Sequence, residues 1–196
     1  MRDRNILISI IWFFASTANA QSVTDYWNKG TDNLMVHKCE EAIGFFDKAL
    51  VIDPKDRSSL FNRASAKSCT GDLVGAIADY TKIINNNPFE SKVLLCRGRI
   101  KMNLKDHRGA IIDFTKAIEQ NFPAHYDRGV AKYHLKDYVG AMSDFEKCQY
   151  ISSDNYYYQG LCKIKLGKVE EGCIALSKAG EAGNAEAYEM IKEHCQ

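Results

Sequence analysis

The sequence predicts an all-α fold, an α-solenoid of stacked two-helix hairpins, and three observations support it. Alanines recur 34 residues apart, at Ala42, Ala76 and Ala110. An aromatic residue follows each of them four positions later, and the pattern continues at a shorter step with Ala141 and, in weaker form, Gly172. Apolar residues within these segments return every third or fourth position, which indicates amphipathic helices. A repeat of this length is typical of hairpins that bury their apolar faces against their neighbours.

The first twenty residues have the pattern of a secretory signal peptide. Two arginines precede an apolar run from Ile6 to Ala15, and the Ala-Asn-Ala sequence at 18–20 matches a small-x-small cleavage site. The run is too short to span a bilayer, which takes about 20 residues. We therefore expect a mature chain that starts at Gln21 and is exported to the periplasm or the extracellular space. An uncleaved membrane anchor is the alternative.

The mature region, residues 21–196, has the size and charge of a single neutral domain. Removal of the signal peptide leaves 24 basic and 24 acidic residues, so the expected net charge is zero. Such a chain has no strong field to attract nucleic acid or an anionic membrane. We expect no nucleic-acid partner and no membrane span after cleavage of the signal peptide.

Five repeat units divide this region, over about 23–56, 57–90, 91–121, 122–152 and 153–183, and a capping helix follows over about 184–195. A small residue recurs in the first helix of each unit, where two helices must approach closely: Gly30, Ala64, Gly98, Gly129, Gly160. Pro54 and Pro88 stand where the second helix has to stop. After Gly98 the spacing falls to 31 residues. Roughly one helical turn is therefore missing from the end of the second helix or from the turn that follows it.

These units resemble the tetratricopeptide repeat. The small residue is followed by alanine, an aromatic residue, a second small or apolar residue and proline, as in Phe46-Ala49-Pro54 and Tyr80-Ile83-Pro88 and, in part, in Phe114-Ala117. The resemblance covers nearly all of the mature chain. It implies an α-solenoid that binds protein segments along its concave face and that needs no cofactor.

Two oppositely charged residues are present together in some of the units and absent together from the others. Arginine precedes the small residue and aspartate precedes the aromatic residue in the three middle units: Arg63 with Asp79, Arg97 with Asp113, Arg128 with Asp144. The first and fifth units lack both members. Because a half-buried unpaired charge is costly, this co-occurrence predicts ion pairs that stabilise the scaffold.

The resemblance also implies a binding groove lined by the first helix of each unit. Carried over by position, one row of groove residues reads Trp27, Phe61, Leu95, Tyr126, Tyr157, and a neighbouring row includes Leu34, Met102, Tyr133, Ile164. A monomer does not usually leave such an apolar stripe uncovered, so a partner segment with apolar anchors is expected there. The alternative is that the curvature of the chain or its terminal helix covers these side chains. Clamps for a carboxylate are disfavoured, because only Lys92 and Arg99 keep positive charge at the family's clamp positions.

Export would expose the seven cysteines to an oxidising compartment, where thiols tend to pair. Cys173 and Cys195 are predicted to form a bridge, because the final helix returns antiparallel and brings the second beside the first. This ending also looks like the C-terminal cap of exported bacterial tetratricopeptide proteins. Two further bridges, Cys39 with Cys69 and Cys148 with Cys162, compete with the interpretation that these four residues are small, buried core thiols.

The sequence shows no pattern typical of an enzyme. It lacks a Cys-x-x-Cys pair, a phosphate-binding glycine loop and a His-Glu-x-x-His motif, and its five histidines share no spacing typical of metal ligands. We expect a non-enzymatic scaffold or adaptor that binds a protein or peptide, with no metal and no catalytic residue. One alternative is a structural or self-assembling subunit of an envelope or secreted complex. Another is a thiol-dependent redox protein, active through Cys96 or the terminal bridge.

Overall fold

The computed structural model describes residues 21–148 and 151–195, and the predicted signal peptide lies outside the described residues. This part of the chain is helical, with no strand. The helices are α1 (21–35), α2 (Cys39–Ile52), α3 (Arg57–Thr70), α4 (Leu73–Asn86), α5 (Ser91–Asn103), α6 (His107–Glu119), α7 (His125–His134), α8 (Tyr138–Glu146), α9 (Ser153–Lys165), α10 (Val169–Glu181) and α11 (Glu186–His194). None of these described helices is long and apolar enough to cross a membrane.

The helices form two compact units, divided between Pro88 and Phe89. The first unit contains α1–α4, which are two of the predicted hairpins. The second contains three hairpins, α5 with α6, α7 with α8 and α9 with α10, followed by α11. The predicted all-α hairpin architecture is confirmed.

Close contact between the two helices of a hairpin explains the recurring small residues. A Cβ atom added to Gly98 would lie 2.5 Å from the Phe114 ring, and one on Gly129 would lie 2.7 Å from Phe145. Both aromatic rings are almost completely buried. A larger side chain on the first helix would push the second helix away, because a well-packed core has no room for additional atoms.

Aspartate side chains begin the second helix of the three middle hairpins. Asp72 accepts a hydrogen bond from the backbone N–H of Gly75, and Asp106 does the same for Gly109, both at 2.9 Å. Asp137 repeats this contact in the next hairpin. The aspartate satisfies a donor that the helix itself leaves unpaired and fixes where the helix starts.

The predicted ion pairs are present and each has a third member. Arg97 donates to Asp113 from Nε and Nη2, at 2.9 and 2.7 Å. Lys101 Nζ lies 2.8 Å from the same carboxylate, whose side chain is only 1% exposed. The same arrangement of arginine, aspartate and lysine recurs in the other two middle hairpins: Arg63, Asp79, Lys67 and Arg128, Asp144, Lys132. We call these three groups the ion triads.

The ion triads predict a dependence of stability on pH. Burial alone would raise the pKa of Asp144, but the hydrogen bonds from Arg128 and Lys132 outweigh it and hold that pKa below its usual range. The pKa of Asp79 is lowered in the same way, because the hydrogen bonds from Arg63 and Lys67 outweigh the effect of burial. The native state therefore binds fewer protons than the unfolded chain, so this stabilisation is complete above the unfolded pKa of about 3.9 and is lost as the pH falls through the folded pKa.

We expect the free energy of unfolding to fall steadily below about pH 4, as measured by urea denaturation followed by circular dichroism. In Asp144→Asn, the part of this acid dependence that belongs to the third triad should disappear, although the variant is less stable throughout. An acid dependence identical to that of the unmodified protein would contradict this assignment.

The two shorter steps of the repeat have different origins. Before Gly129, helix α6 still extends nine residues past Ala110, but α7 begins only four residues before Gly129, whereas α5 begins seven before Gly98. Before Gly160 the second helix itself is short, because α8 extends only five residues past Ala141 and ends at Glu146, whereas α4 extends ten past Ala76. The side-chain amide of the buried Asn155 donates to the carbonyl oxygen of Phe145 at 3.3 Å and so satisfies one carbonyl exposed by the early end of α8.

Each unit contains one disulfide bond that joins two of its helices. Cys39 at the start of α2 is bonded to Cys69 near the end of α3, with 6.3 Å between their Cα atoms. Cys173 in α10 is bonded to Cys195 just after α11, with a Cα separation of 5.8 Å. The first bond ties two hairpins together, and the second fastens the terminal helix.

The proposed bridge between Cys148 and Cys162 is wrong, because both residues are thiols. Cys162 is completely buried in the core cluster that contains Ala141 and Phe145. Cys148 follows the early end of α8 and donates to the carbonyl oxygen of Asp144. Burial raises the pKa of both thiols, that of Cys162 to about 12, so neither is a reactive thiolate at neutral pH.

Candidate binding site

The groove residues predicted in the first unit are half-buried. Trp27 and Leu34 pack against the cluster formed by Ala42, Phe46 and Ala66. Phe61 presents its ring edge to Tyr80, with 5.5 Å between the centroids. These three side chains therefore contribute to the core of the hairpins as well as to the surface of the unit.

The groove residues predicted in the second unit are also half-buried, but their surroundings differ. Tyr133, Tyr157 and Ile164 pack against the C-terminal cluster around Leu176. Leu95 and Met102 lie on α5, and Tyr126 lies on α7. Tyr126 differs from the others because it lines three clefts of this unit.

The three clefts, which we name A, B and C, share Tyr126 as a common wall. Cleft A has a volume of about 530 Å³, cleft B about 340 Å³ and cleft C about 450 Å³. Clefts A and B also share Arg99 and Asp127. Cleft C continues past Tyr157 to the turn that precedes α11. The candidate binding site therefore has its centre at Tyr126.

Cleft A lies where the repeat is shortened. Its apolar surface comes from Ile118 at the end of α6 and from Phe122 and Pro123 in the following turn. Lys147 and Cys148, the two residues after the early end of α8, line it as well. The loss of the last turn of α8 thus coincides with a cleft that the hairpin repeat alone would not predict.

An ion pair forms a wall that the first two clefts share. Arg99 Nε and Nη2 donate to the two carboxylate oxygens of Asp127, at 2.6 and 3.1 Å. The Arg99 side chain is 60% exposed, whereas that of Asp127 is 14% exposed. The hydrogen bonds that Arg99 donates to Asp127 raise the pKa of Arg99, so its guanidinium is charged at any physiological pH. A guanidinium has five N–H donors, so this exposed side chain can donate to a backbone carbonyl of a ligand in addition to Asp127.

His125 also lines cleft A. Its pKa is lowered chiefly by burial; the negative charge of Asp144 opposes this effect, and the positive charges of Arg128, Lys147 and Lys132 add to it. His125 is consequently a neutral donor or acceptor at neutral pH.

The tyrosine rings of the site are held by one another. The Tyr126 ring lies 6.1 Å from that of Phe145 and 6.2 Å from that of Tyr158. Tyr133 contacts Tyr158 edge to face, at 5.4 Å. Burial raises the pKa of Tyr126 beyond its usual range and that of Tyr133 to about 12, so both hydroxyls are neutral. Such rings offer rigid apolar contact area together with a polar tip.

The described residues contain no cluster of three or more His, Cys, Asp or Glu side chains that could hold a metal ion. The clefts around Tyr126 combine apolar walls, a few convergent polar groups and the exposed cation of Arg99. Sequence reasoning missed Asp127, Phe122 and Lys147 as parts of the site. The 31-residue spacing pointed to the altered turn, but the contacts made there depend on tertiary packing.

No protein-family model and no characterised protein matches the sequence. The fold, however, is similar to solved structures. "Crystal structure of MamA protein" superposes with a TM-score of 0.76 at 20% identity, over 89% of this chain and 96% of that one. "Crystal structure of YrrB: a TPR protein with an unusual peptide-binding site" gives a TM-score of 0.76 at 19% identity, over 92% and 97%.

A third similar structure comes from "Functional Characterization of Pseudomonas Aeruginosa pilF", with a TM-score of 0.73 at 18% identity, over 87% of this chain and 81% of that one. At these identities the similarity concerns the fold. This chain has the tetratricopeptide-repeat fold, as its repeated alanine, aromatic and small residues indicated.

Proposed function

We propose that this tetratricopeptide-repeat chain is a non-enzymatic interaction scaffold that binds a segment of a partner protein. The binding site is the surface around Tyr126, with Tyr157, Met102 and Arg99 as further contacts. The observation that carries the proposal is the convergence of clefts A, B and C on one half-buried tyrosine. A groove of this kind accepts an extended or helical segment through alternating apolar anchors and backbone contacts.

The chemistry of the surface supports a peptide ligand over a small molecule. The clefts are open and separated by the exposed Arg99–Asp127 pair, so they favour a chain that passes from one cleft to the next. Aromatic residues and arginine are also the residues that contribute most to protein interfaces. The YrrB structure is itself described as having a peptide-binding site, which makes a peptide a natural ligand to test here.

We further propose that the protein works in an oxidising compartment, after export. Two disulfide bonds within a small helical protein support this location, because cytosolic thiols are kept reduced. The predicted signal peptide supplies an independent reason. Mass spectrometry of the protein isolated from the exported fraction should show a chain that begins at Gln21, whereas a chain that begins at Met1 would contradict cleavage.

Selection from a random peptide library tests the proposed binding site. Peptides that bind the disulfide-bonded protein should bind Tyr126→Ala and Arg99→Ala at least tenfold more weakly, as measured by fluorescence polarisation. Arg99→Ala is included because its side chain is 60% exposed and the variant should fold normally. Val139→Ala, on the exposed surface of α8, is the matched control and should retain full affinity. Equal binding by both groove variants and the control would refute the site.

A further inference from the structure

The turns of two successive hairpins bring two histidines and a methionine together. His107 is the first residue of α6, and His134 is the last residue of α7. Their rings are stacked, with centroids 4.9 Å apart and an angle of 10° between the planes. His107 Nδ1 lies 3.4 Å from Met102 Sδ. His134 lies 27 residues after His107 and 32 after Met102, so the fold brings it to the other two.

We propose that Met102, His107 and His134 form a binding site for a soft monovalent cation, copper(I) or its analogue silver(I). The ligand atoms are two imidazole nitrogens and one thioether sulfur. The site is distinct from the peptide surface in its chemistry, although Met102 also lines cleft B.

The type of ligand atom selects the class of metal. Thioethers are soft ligands that bind copper(I), and imidazole also suits copper. Calcium and magnesium require oxygen ligands, and structural zinc sites use thiolate, imidazole or carboxylate, with four ligands in a closed tetrahedron. Two imidazoles with one thioether satisfy neither requirement. They match the low coordination number and the softness of a copper(I) or silver(I) ion.

The distances already present suit coordination. Metal bonds to nitrogen and sulfur of about 2.0–2.3 Å would place Nδ1 and Sδ about 3.4 Å apart at a ligand–metal–ligand angle of about 100°. His134 is exposed and sits at the end of its helix, so rotation of its ring about the broad χ2 torsion can turn a nitrogen toward the same point. Only this one ring has to move.

Tautomerism decides which imidazole nitrogen is available to a metal. A neutral imidazole carries one proton on either nitrogen, so Nδ1 of His107 can coordinate when the proton lies on Nε2. The Tyr133 ring, 5.7 Å from that of His134, shields one side of the pair.

Titration with silver(I), observed at the methionine methyl groups by carbon-13 NMR, tests the proposal. The protein is labelled at its methionine methyls, kept with both disulfides intact and studied in chloride-free nitrate buffer. Because each methyl is observed separately, silver taken up by thiols does not obscure the result. Met35, whose side chain is 74% exposed in the first unit, reports unspecific binding to a thioether.

We expect the Met102 methyl to reach half its shift at a silver concentration at least tenfold below that needed for Met35. In His107→Ala and in His134→Ala the midpoint for Met102 should rise at least tenfold, toward that of Met35. His37→Asn is the control, since His37 lies in the first unit with a φ of 60°, a conformation that asparagine tolerates. It should leave the Met102 midpoint unchanged.

Several results would overturn the site. Equal midpoints for Met102 and Met35 in the unmodified protein would show that the contact between Met102 and His107 is an ordinary hydrogen bond and not part of a metal site. An unchanged Met102 midpoint in either histidine variant would show that this histidine is not a ligand, and would refute the three-ligand site. The Met190 methyl, which packs in the C-terminal cluster, shows in the same spectra whether each variant is folded. None of these readouts depends on peptide binding.

Discussion

Replacing Asp113 by Ala is expected to lower the free energy of unfolding by about 3–5 kcal/mol. The Asp113 side chain is 1% exposed and accepts hydrogen bonds from Arg97, while Lys101 lies 2.8 Å away. The substitution leaves two cations that are 12% and 18% exposed without their shared counter-ion. Urea denaturation followed by circular dichroism measures the loss directly.

Two control variants separate the buried charge from the loss of a side chain. Asp47→Ala removes a carboxylate that is 54% exposed and 2.6 Å from Arg63, and should cost less than about 1 kcal/mol, as exposed pairs do. The triple variant Arg97→Met, Lys101→Met, Asp113→Leu should recover most of the stability, because apolar side chains replace the whole buried network. A loss below 1 kcal/mol in Asp113→Ala would show that water reaches the site and screens the two cations.

The ion triads could be predicted from the repeated sequence only in part. The pairing of arginine with aspartate was predictable, because both members vanish together from the first and fifth units. The lysine of each triad was missed, although it follows its arginine by four residues, as Lys101 follows Arg97. Residues four apart share one face of a helix, so that spacing was a usable signal.

The hairpin fold was predictable because it is encoded redundantly. Each pairing of a small residue with an aromatic one repeats along the chain, and the contact of Gly129 with Phe145 is the same as that of Gly98 with Phe114. The starts of the second helices could also have been predicted. Asp72 and Asp106 stand three residues before a glycine, a spacing suited to an N-cap whose carboxylate leaves no room for a Cβ.

The candidate binding site could be predicted only in part. Tyr126 was placed by its position in the repeat, but the clefts beside it are formed by turns that depart from the repeat. The pair between Arg99 and Asp127 joins residues 28 positions apart, and nothing local in the sequence links them. A site that uses an irregularity of a repeat protein depends on contacts that the regular pattern cannot specify.

The cysteine pairs, too, could be predicted from the sequence only in part. Cys173 and Cys195 could be paired from the expected return of the last helix, because the chain direction leaves little choice of partner. The four remaining candidates could not be resolved from spacing. Cys39 and Cys69 meet at the edge of two hairpins, whereas Cys162 is enclosed by packing against Phe145. Burial does not distinguish the two cases, because Cys39 is buried and bonded whereas Cys148 is partly buried and a thiol; the meeting of two sulfurs in the fold, which the sequence does not report, does.

The double variant Cys173→Ala, Cys195→Ala is expected to destabilise α11 by roughly 3 kcal/mol, the contribution of closing a loop of this length in the chain-entropy model. Helix α11 has nine residues and no further hairpin packs on it in the described part of the chain. A helix this short is marginal on its own, so the bond and the packing of Ala187, Met190 and Ile191 hold it in place.

Hydrogen exchange measured by mass spectrometry locates the effect. Amide protection should fall first over α11, then over α10, whose Gly180 packs under the Tyr188 ring, while the first unit should keep its protection. Lys192→Ala with Glu189→Ala is the matched control, because it removes an exposed ion pair from the same helix and leaves the bond intact. If the amide protection of α11 is unchanged in the double variant, apolar packing alone holds the terminal helix in place and the disulfide does not stabilise it.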